Sequence, residues 1–190
     1  MTAMYTKKIY FTGGDFHELQ EVFKDLPGVV DTKTGYVNAE ENASFESVAK
    51  GETKGYMGIE ITYNPKKIDL SKLMDVLFAV VNPYLPDGQG NARGEMYRAG
   101  VFYKSHEDEP QAELHLNFIA NRGKPPAVSC VGITMNDPNS DPKCARRCYA
   151  LAAPLISFQE AEAKHQNYLE NHKDEETFID FAKFREYVKF

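Results

Sequence analysis

Residues 9 to 26 constrain the fold most. The apolar run Ile9-Tyr10-Phe11 stops at the pair Gly13-Gly14, and just beyond it Phe16, Leu19, Val22, Phe23 and Leu26 recur at three- and four-residue intervals. Apolar spacing thus changes from that of a strand to that of a helix face within two glycines. A strand feeding directly into a helix is the unit from which α/β and α+β sheets are built. The rest of the chain keeps alternating. Strands are expected from Lys8 to Thr12, from Val29 to Val37 after the turn Pro27-Gly28, from Gly58 to Tyr63, from Ala99 to Tyr103 and from Val128 to Met135. Helices are expected from Asp15 to Leu26, from Ser44 to Lys50, and from an N-cap at Asp69 to Val81, where Leu70, Leu73, Met74, Leu77, Val80 and Val81 make one face. That helix should stop at Asn82-Pro83, since a residue before proline avoids the helical region. A further helix is expected at about Asp108 to Arg122, and two helical stretches, Ala161 to Asn171 and Asp174 to Val188, should form the tail. Pro83 to Gly94 and Asn136 to Pro142 read as loops.

A chain of 190 residues and 21.5 kDa with 42% hydrophobic residues suffices for one core, and no linker or repeat divides it. One domain over residues 1–190 is therefore expected. The formal net charge of −6 argues against a general nucleic-acid binder, which needs surplus Lys and Arg against phosphate. No apolar run reaches the roughly 18 to 20 residues of a membrane span, and residues 1–10 lack the pattern of a secretory signal. Three cysteines, Cys130, Cys144 and Cys148, are an odd number and suit reduced thiols. The expected location is the cytoplasm, with a small-molecule or side-chain ligand as partner and neither nucleic acid nor membrane. No cofactor or metal is expected.

Asp15 stands where it can cap the helix behind it, and the positive helix N-terminus favours an anion there. His17 is only two residues on, and a helix does not align such positions on one face. Cys144 and Cys148 are four residues apart with Arg146 and Arg147 between them, an arrangement that can lower a thiol pKa but is a weak zinc signal.

Five ordered blocks resemble one family. They are IYFTGGDFHELQEVFKDLPGVVDTKTGYVN (9–38), NASFESVAKGETK (42–54), IEITYNP (59–65), NPYLPDGQGNARGEMYRAGVFY (82–103) and FQEAEAKHQNYL (158–169). Together they resemble the peptide-methionine (S)-S-oxide reductases, methionine sulfoxide reductase A, over about residues 8–170, with residues 123–157 as a divergent insert and residues 171–190 as a helical tail. The resemblance implies a two-layer α/β (α+β) sandwich with a mixed sheet.

It also implies an altered site. The family's attacking cysteine, in Gly-Cys-Phe-Trp, falls on Asp15, and its tryptophan on His17. The glutamic acid that protonates the sulfoxide oxygen falls on Met57, counted back without a gap from Asn64-Pro65, and the aspartate after Gln-Gly-Asn falls on Ala92. Phe16 in the methyl pocket, the sulfoxide-binding phenols of Tyr36 and Tyr97, and the loop Gln89-Gly90-Asn91 are retained. Sulfoxide reduction needs a soft nucleophile that bonds sulfur and leaves as sulfenic acid, and a carboxylate cannot do this. Asp15, Tyr36 and Tyr97 are thus the expected central residues, with Phe16, His17, Met57, Gln89, Gly90, Asn91 and Glu95 around a ligand, which charge plus aromatic faces would suit if it were a small cation. The alternatives are reduction by a displaced cysteine, or acid/base chemistry by Asp15, His17 and Glu95.

Overall fold

The computed structural model describes residues 5–120 and 147–188, together with the backbone of residues 128–129 and 132–133. In chain order the elements are β1 (Lys7–Thr12), α1 (Phe16–Phe23), β2 (Val29–Val37), α2 (Phe45–Ala49), β3 (Tyr56–Tyr63), α3 (Leu70–Val80), β4 (Gly88–Gln89), β5 (Ala92–Arg93), a 3-10 turn (Glu95–Tyr97) and β6 (Gly100–Tyr103). They continue with α4 (Glu109–Ala120), β7 (Val128–Ser129), β8 (Gly132–Ile133), β9 (Leu151–Pro154), β10 (Phe158–Glu160), a 3-10 turn (Ala163–His165), α5 (Tyr168–Asn171) and α6 (Phe181–Tyr187).

Six strands form one sheet in the order β10-β2-β3-β1-β6-β9; all neighbours are antiparallel except β6 and β9. The mixed sheet expected from the family blocks is present. Strand periodicity divides its faces. Ile9, Phe11, Tyr36, Met57, Ile59, Ile61 and Val101 lie in the main core with α1 and α3, whereas Tyr10, Val37 and Phe102 lie in a second cluster with Tyr56, Leu155 and Phe158.

β9 and β10 occupy opposite edges of the sheet, yet only Leu155–Ser157 separates them. Six strands about 4.8 Å apart would span roughly 24 Å if flat. Four Cα steps from Pro154 to Phe158 reach at most about 14 Å, so the sheet has to curl until its edges approach. Asn38, in the left-handed conformation at φ 49°, staples the crossing: its Oδ1 accepts the Ile156 N–H at 2.7 Å and its own N–H reaches the Ser157 carbonyl at 2.8 Å. The Leu155 N–H donates to the Tyr103 carbonyl at 2.7 Å on the β6 side.

Several expectations need correction. β9 and β10 were not expected, and Pro154, which donates no hydrogen bond, ends a strand at the sheet edge where that loss is tolerated. The strand expected from Val128 to Met135 is instead, within its described part, two short antiparallel strands that pair with each other. The stretch from Ala161 to Asn171 is a 3-10 turn and one helical turn, because Asn167 sits at φ 49° between them. In the tail only Phe181–Tyr187 is helical. The Pro83 to Gly94 loop contains the β4–β5 hairpin. Asn136 to Pro142, Cys130 and Cys144 lie outside the described residues.

Candidate functional site

Asp15 caps α1. Its backbone is extended (φ −73°, ψ 128°), so its carboxylate reaches over the first turn, and Oδ1 accepts both the His17 backbone N–H at 2.7 Å and a bond from His17 Nδ1 at 2.8 Å. Two helical residues at i and i+2 would be separated by about 200° around the axis. A cap residue is not helical, and the acid and the imidazole meet for that reason.

The chain of contacts continues inward. His17 Nε2 lies 3.0 Å from His165 Nδ1. His165 is held by its neighbour Gln166, which takes both backbone groups of Thr34: the Thr34 N–H donates to Oε1 at 3.0 Å and Nε2 donates to the Thr34 carbonyl at 2.9 Å. The Thr34 hydroxyl in turn donates to the His165 carbonyl at 3.1 Å. The late histidine-glutamine pair thus bolts the segment after β10 onto β2. His165 is only 6% exposed, and its Nε2 is buried without a partner. Burial, and then the neighbouring His17, hold His165 below the ordinary histidine pKa, against the pull of Glu162.

A second acid, unforeseen in the sequence, joins the group. The Tyr36 phenol donates to Glu162 Oε2 at 2.6 Å, and the Phe45 N–H donates to Glu162 Oε1 at 3.3 Å. Burial, followed by the Glu162 carboxylate, pushes the Tyr36 phenol up, so it stays a donor. Partial burial pushes Glu162 up as well, but the Tyr36 phenol and backbone N–H groups outweigh it and leave Glu162 below the usual glutamate range.

Aromatic rings fill the space between. The Phe16 centroid is 4.8 Å from His17, 5.7 Å from Phe45 and 5.9 Å from Tyr36. Phe45 stacks on His165 at 4.4 Å, and Tyr168 stacks on His17 at 4.2 Å. Phe16 and Tyr36 are 0% exposed, whereas the Asp15 side chain is 33% exposed. The open part of the cluster is therefore the acid, with the two aromatics behind it.

Asp15, Phe16, His17 and Tyr36 therefore lie together, joined by Phe45, Glu162 and His165. Tyr97 is beside them: its carbonyl accepts the Gly14 N–H at 2.8 Å, and burial, then Asp15, raises its phenol pKa. The other expected residues are turned to other tasks. Met57 pairs with Tyr36 across β2 and β3 and is wholly buried in the core. Gln89 is spent on Asn82, accepting its N–H and donating to its carbonyl, both at 2.8 Å. Gly90 lies against Phe178, Asn91 is exposed in the hairpin turn, and Glu95 faces Tyr56.

Cys148 is half-buried, and burial holds its thiol above the ordinary cysteine pKa despite the Ala150 N–H and Arg98. Among the described residues no group of three or more His, Cys, Asp or Glu is arranged to hold a metal. A separate apolar groove of about 1050 Å³ runs between α3, α4 and α6, past Phe78, Leu114, Phe118 and Phe184, and includes none of Asp15, Tyr36 and Tyr97.

Comparison with known proteins decides the lineage. The family model "Peptide methionine sulfoxide reductase" matches residues 7–137. The chain belongs to this family. A peptide methionine sulfoxide reductase MsrA of Clostridium botulinum is 32% identical over 165 residues, 86% of this chain and 91% of that protein. One from Mycoplasma genitalium is 38% identical over 104 residues, which are 54% of this chain and 66% of that protein, just under two thirds of its length. In structure, Mxr1 from Saccharomyces cerevisiae in its reduced form superposes with a TM-score of 0.72 at 25% identity, covering 91% of this chain and 89% of that one. The reductase fold, with its mixed sheet curled between α1 and the segment after β10, is thus the frame in which the Asp15 cluster sits.

Proposed function

We propose that this member of the reductase family has no thiol-dependent reductase activity and uses the inherited site to bind a small cationic or methionine-like ligand. The supporting observation is the state of Asp15. In the reading from the family blocks it occupies the place of the attacking cysteine, and its carboxylate is engaged by the first turn of α1 and by His17. A hard oxygen anion in that role does not form the sulfenic acid on which the reaction cycle depends. The half-buried Cys148 thiol is a poor substitute, because the thiolate is the nucleophile and partial burial disfavours it. Met57, in the proposed place of the acid, has no proton to give. The odd cysteine count favours a reducing compartment, and we place the protein in the cytoplasm on that ground.

The relatives named as reductases favour a second reading, in which a displaced cysteine reduces methionine sulfoxide. One assay separates the two: methionine-(S)-sulfoxide and dithiothreitol with the natural protein, with Asp15→Cys, and with Cys130, Cys144 and Cys148 all changed to Ser. No turnover by the natural protein is expected. Turnover that disappears in the triple variant establishes the second reading instead.

A further inference from the structure

The C-terminal segment crosses back over the turn that begins α1. Phe178 lies on two glycines at once: a Cβ added at Gly14 would stand 2.7 Å from the Phe178 ring, and one at Gly90 would overlap Phe178 Cβ. The ring is thus wedged between the β4–β5 hairpin and the turn that presents Asp15, where the Gly14 N–H is tied to the Tyr97 carbonyl at 2.8 Å. Ile179 and Phe184 follow it into the main core.

The polar latch of this segment is a side chain of α1. Glu18 Oε2 accepts the Ile179 N–H at 3.0 Å in a buried contact, and the Phe178 N–H acts on the same carboxyl. No cation faces it among the described groups. Asp15, at the cap of the same helix, is a second acid, and Glu21, one turn on, is paired with Lys24 at 2.7 Å, as is Glu170 of α5. The hairpin turn carries the neutral Gln89 and Gly90, and the charges that follow Ile179, Asp180 and Lys183, pair with each other at 3.2 Å. An ionised carboxylate in this position has backbone dipoles but no counter-charge to replace the water it gave up. A neutral carboxyl keeps an acceptor for Ile179 without that cost. We propose that residues 177–187 form a strap latched by Glu18, held shut by the neutral carboxyl and loosened when it ionises, so that Phe178 lifts from Gly14 and Gly90 and frees the turn that presents Asp15. Burial raises the closed-state pKa of Glu18 to about 7, against an ordinary 4.5 once the strap is open. The latch is therefore at full strength below about pH 4.5 and weakens as pH rises to about 7, so acidification tightens the strap.

The test is amide hydrogen exchange of the full chain from pH 5.5 to 7.5, corrected for the intrinsic pH dependence. The Phe178, Ile179 and Phe184 amides should exchange through one shared opening, at least tenfold faster than those of Ile9, Phe11 and Ile59 in β1 and β3. That opening should become about twentyfold more populated across this range, and the Gly14 amide should open with it. Glu18→Gln should remove the pH dependence, whereas Phe178→Ala should raise the opening at every pH and keep the dependence. The pH series of the natural protein decides the matter even if a variant does not fold. Equal protection of strap and core, an opening that does not change with pH, or a Gly14 amide that stays with the core overturns the proposal.

Discussion

Glu18 offers the sharpest test of the electrostatics, because its side chain is buried and pairs with no cation among the described residues. It lies in the first turn of α1, 7% exposed, and its Oε2 accepts the Ile179 N–H from the C-terminal segment at 3.0 Å. Burial drives its pKa up, the Ile179 and Phe178 N–H groups pull it back, Asp15 raises it again, and the outcome is about 7 against an ordinary 4.5. The folded chain therefore holds a proton there that the unfolded chain has lost. Stability must fall as pH rises from about 4.5 to about 7 and level off above, and at roughly 1.4 kcal/mol per pH unit the loss is about 3 kcal/mol. Glu18→Gln keeps an acceptor for Ile179 and removes the charge. Urea unfolding of the variant and the parent at pH 5, 6, 7 and 8 should give curves that diverge steadily, the variant being more stable by about 2 to 3 kcal/mol at pH 8 and by under about 1 kcal/mol at pH 5. In the parent, exchange of the Ile179 amide, corrected for its intrinsic pH dependence, should accelerate across pH 7. Parallel stability profiles for the two proteins would refute this account of Glu18.

Two other outcomes follow from the same region. Gly14→Ala places a Cβ 2.7 Å from the Phe178 ring at a φ of 79°, so it should cost about 2 kcal/mol and speed proteolysis of the C-terminal segment, measured by limited digestion. Tyr36→Phe removes the 2.6 Å bond to Glu162; the largely exposed acid limits the loss to about 1 kcal/mol, while the Glu162 carbon resonance should titrate closer to the ordinary glutamate value.

The local signals in the chain were sound. The Phe16, Leu19, Val22 and Phe23 face of α1 and the Leu70 to Leu77 face of α3 are buried as their spacing requires, and Asp69 accepts the Lys72 N–H as a cap should. What escaped was long-range. His17 and His165 are 148 residues apart, and no local spacing announces that they touch. The separation of Asp15 from His17 on a helical wheel was misleading because the wheel does not apply to a cap. Leu151–Pro154 is a strand by virtue of its pairing with β6, and its residues, two of them alanine, carry little strand preference of their own.

The three residues between β9 and β10 make the sheet behave like a bracelet whose clasp is Asn38. Because the segment after that clasp carries Glu162 and His165, their contacts with Tyr36 and His17 depend on the bracelet staying fastened, so added length at Leu155–Ser157 would loosen the site without changing any of those four residues.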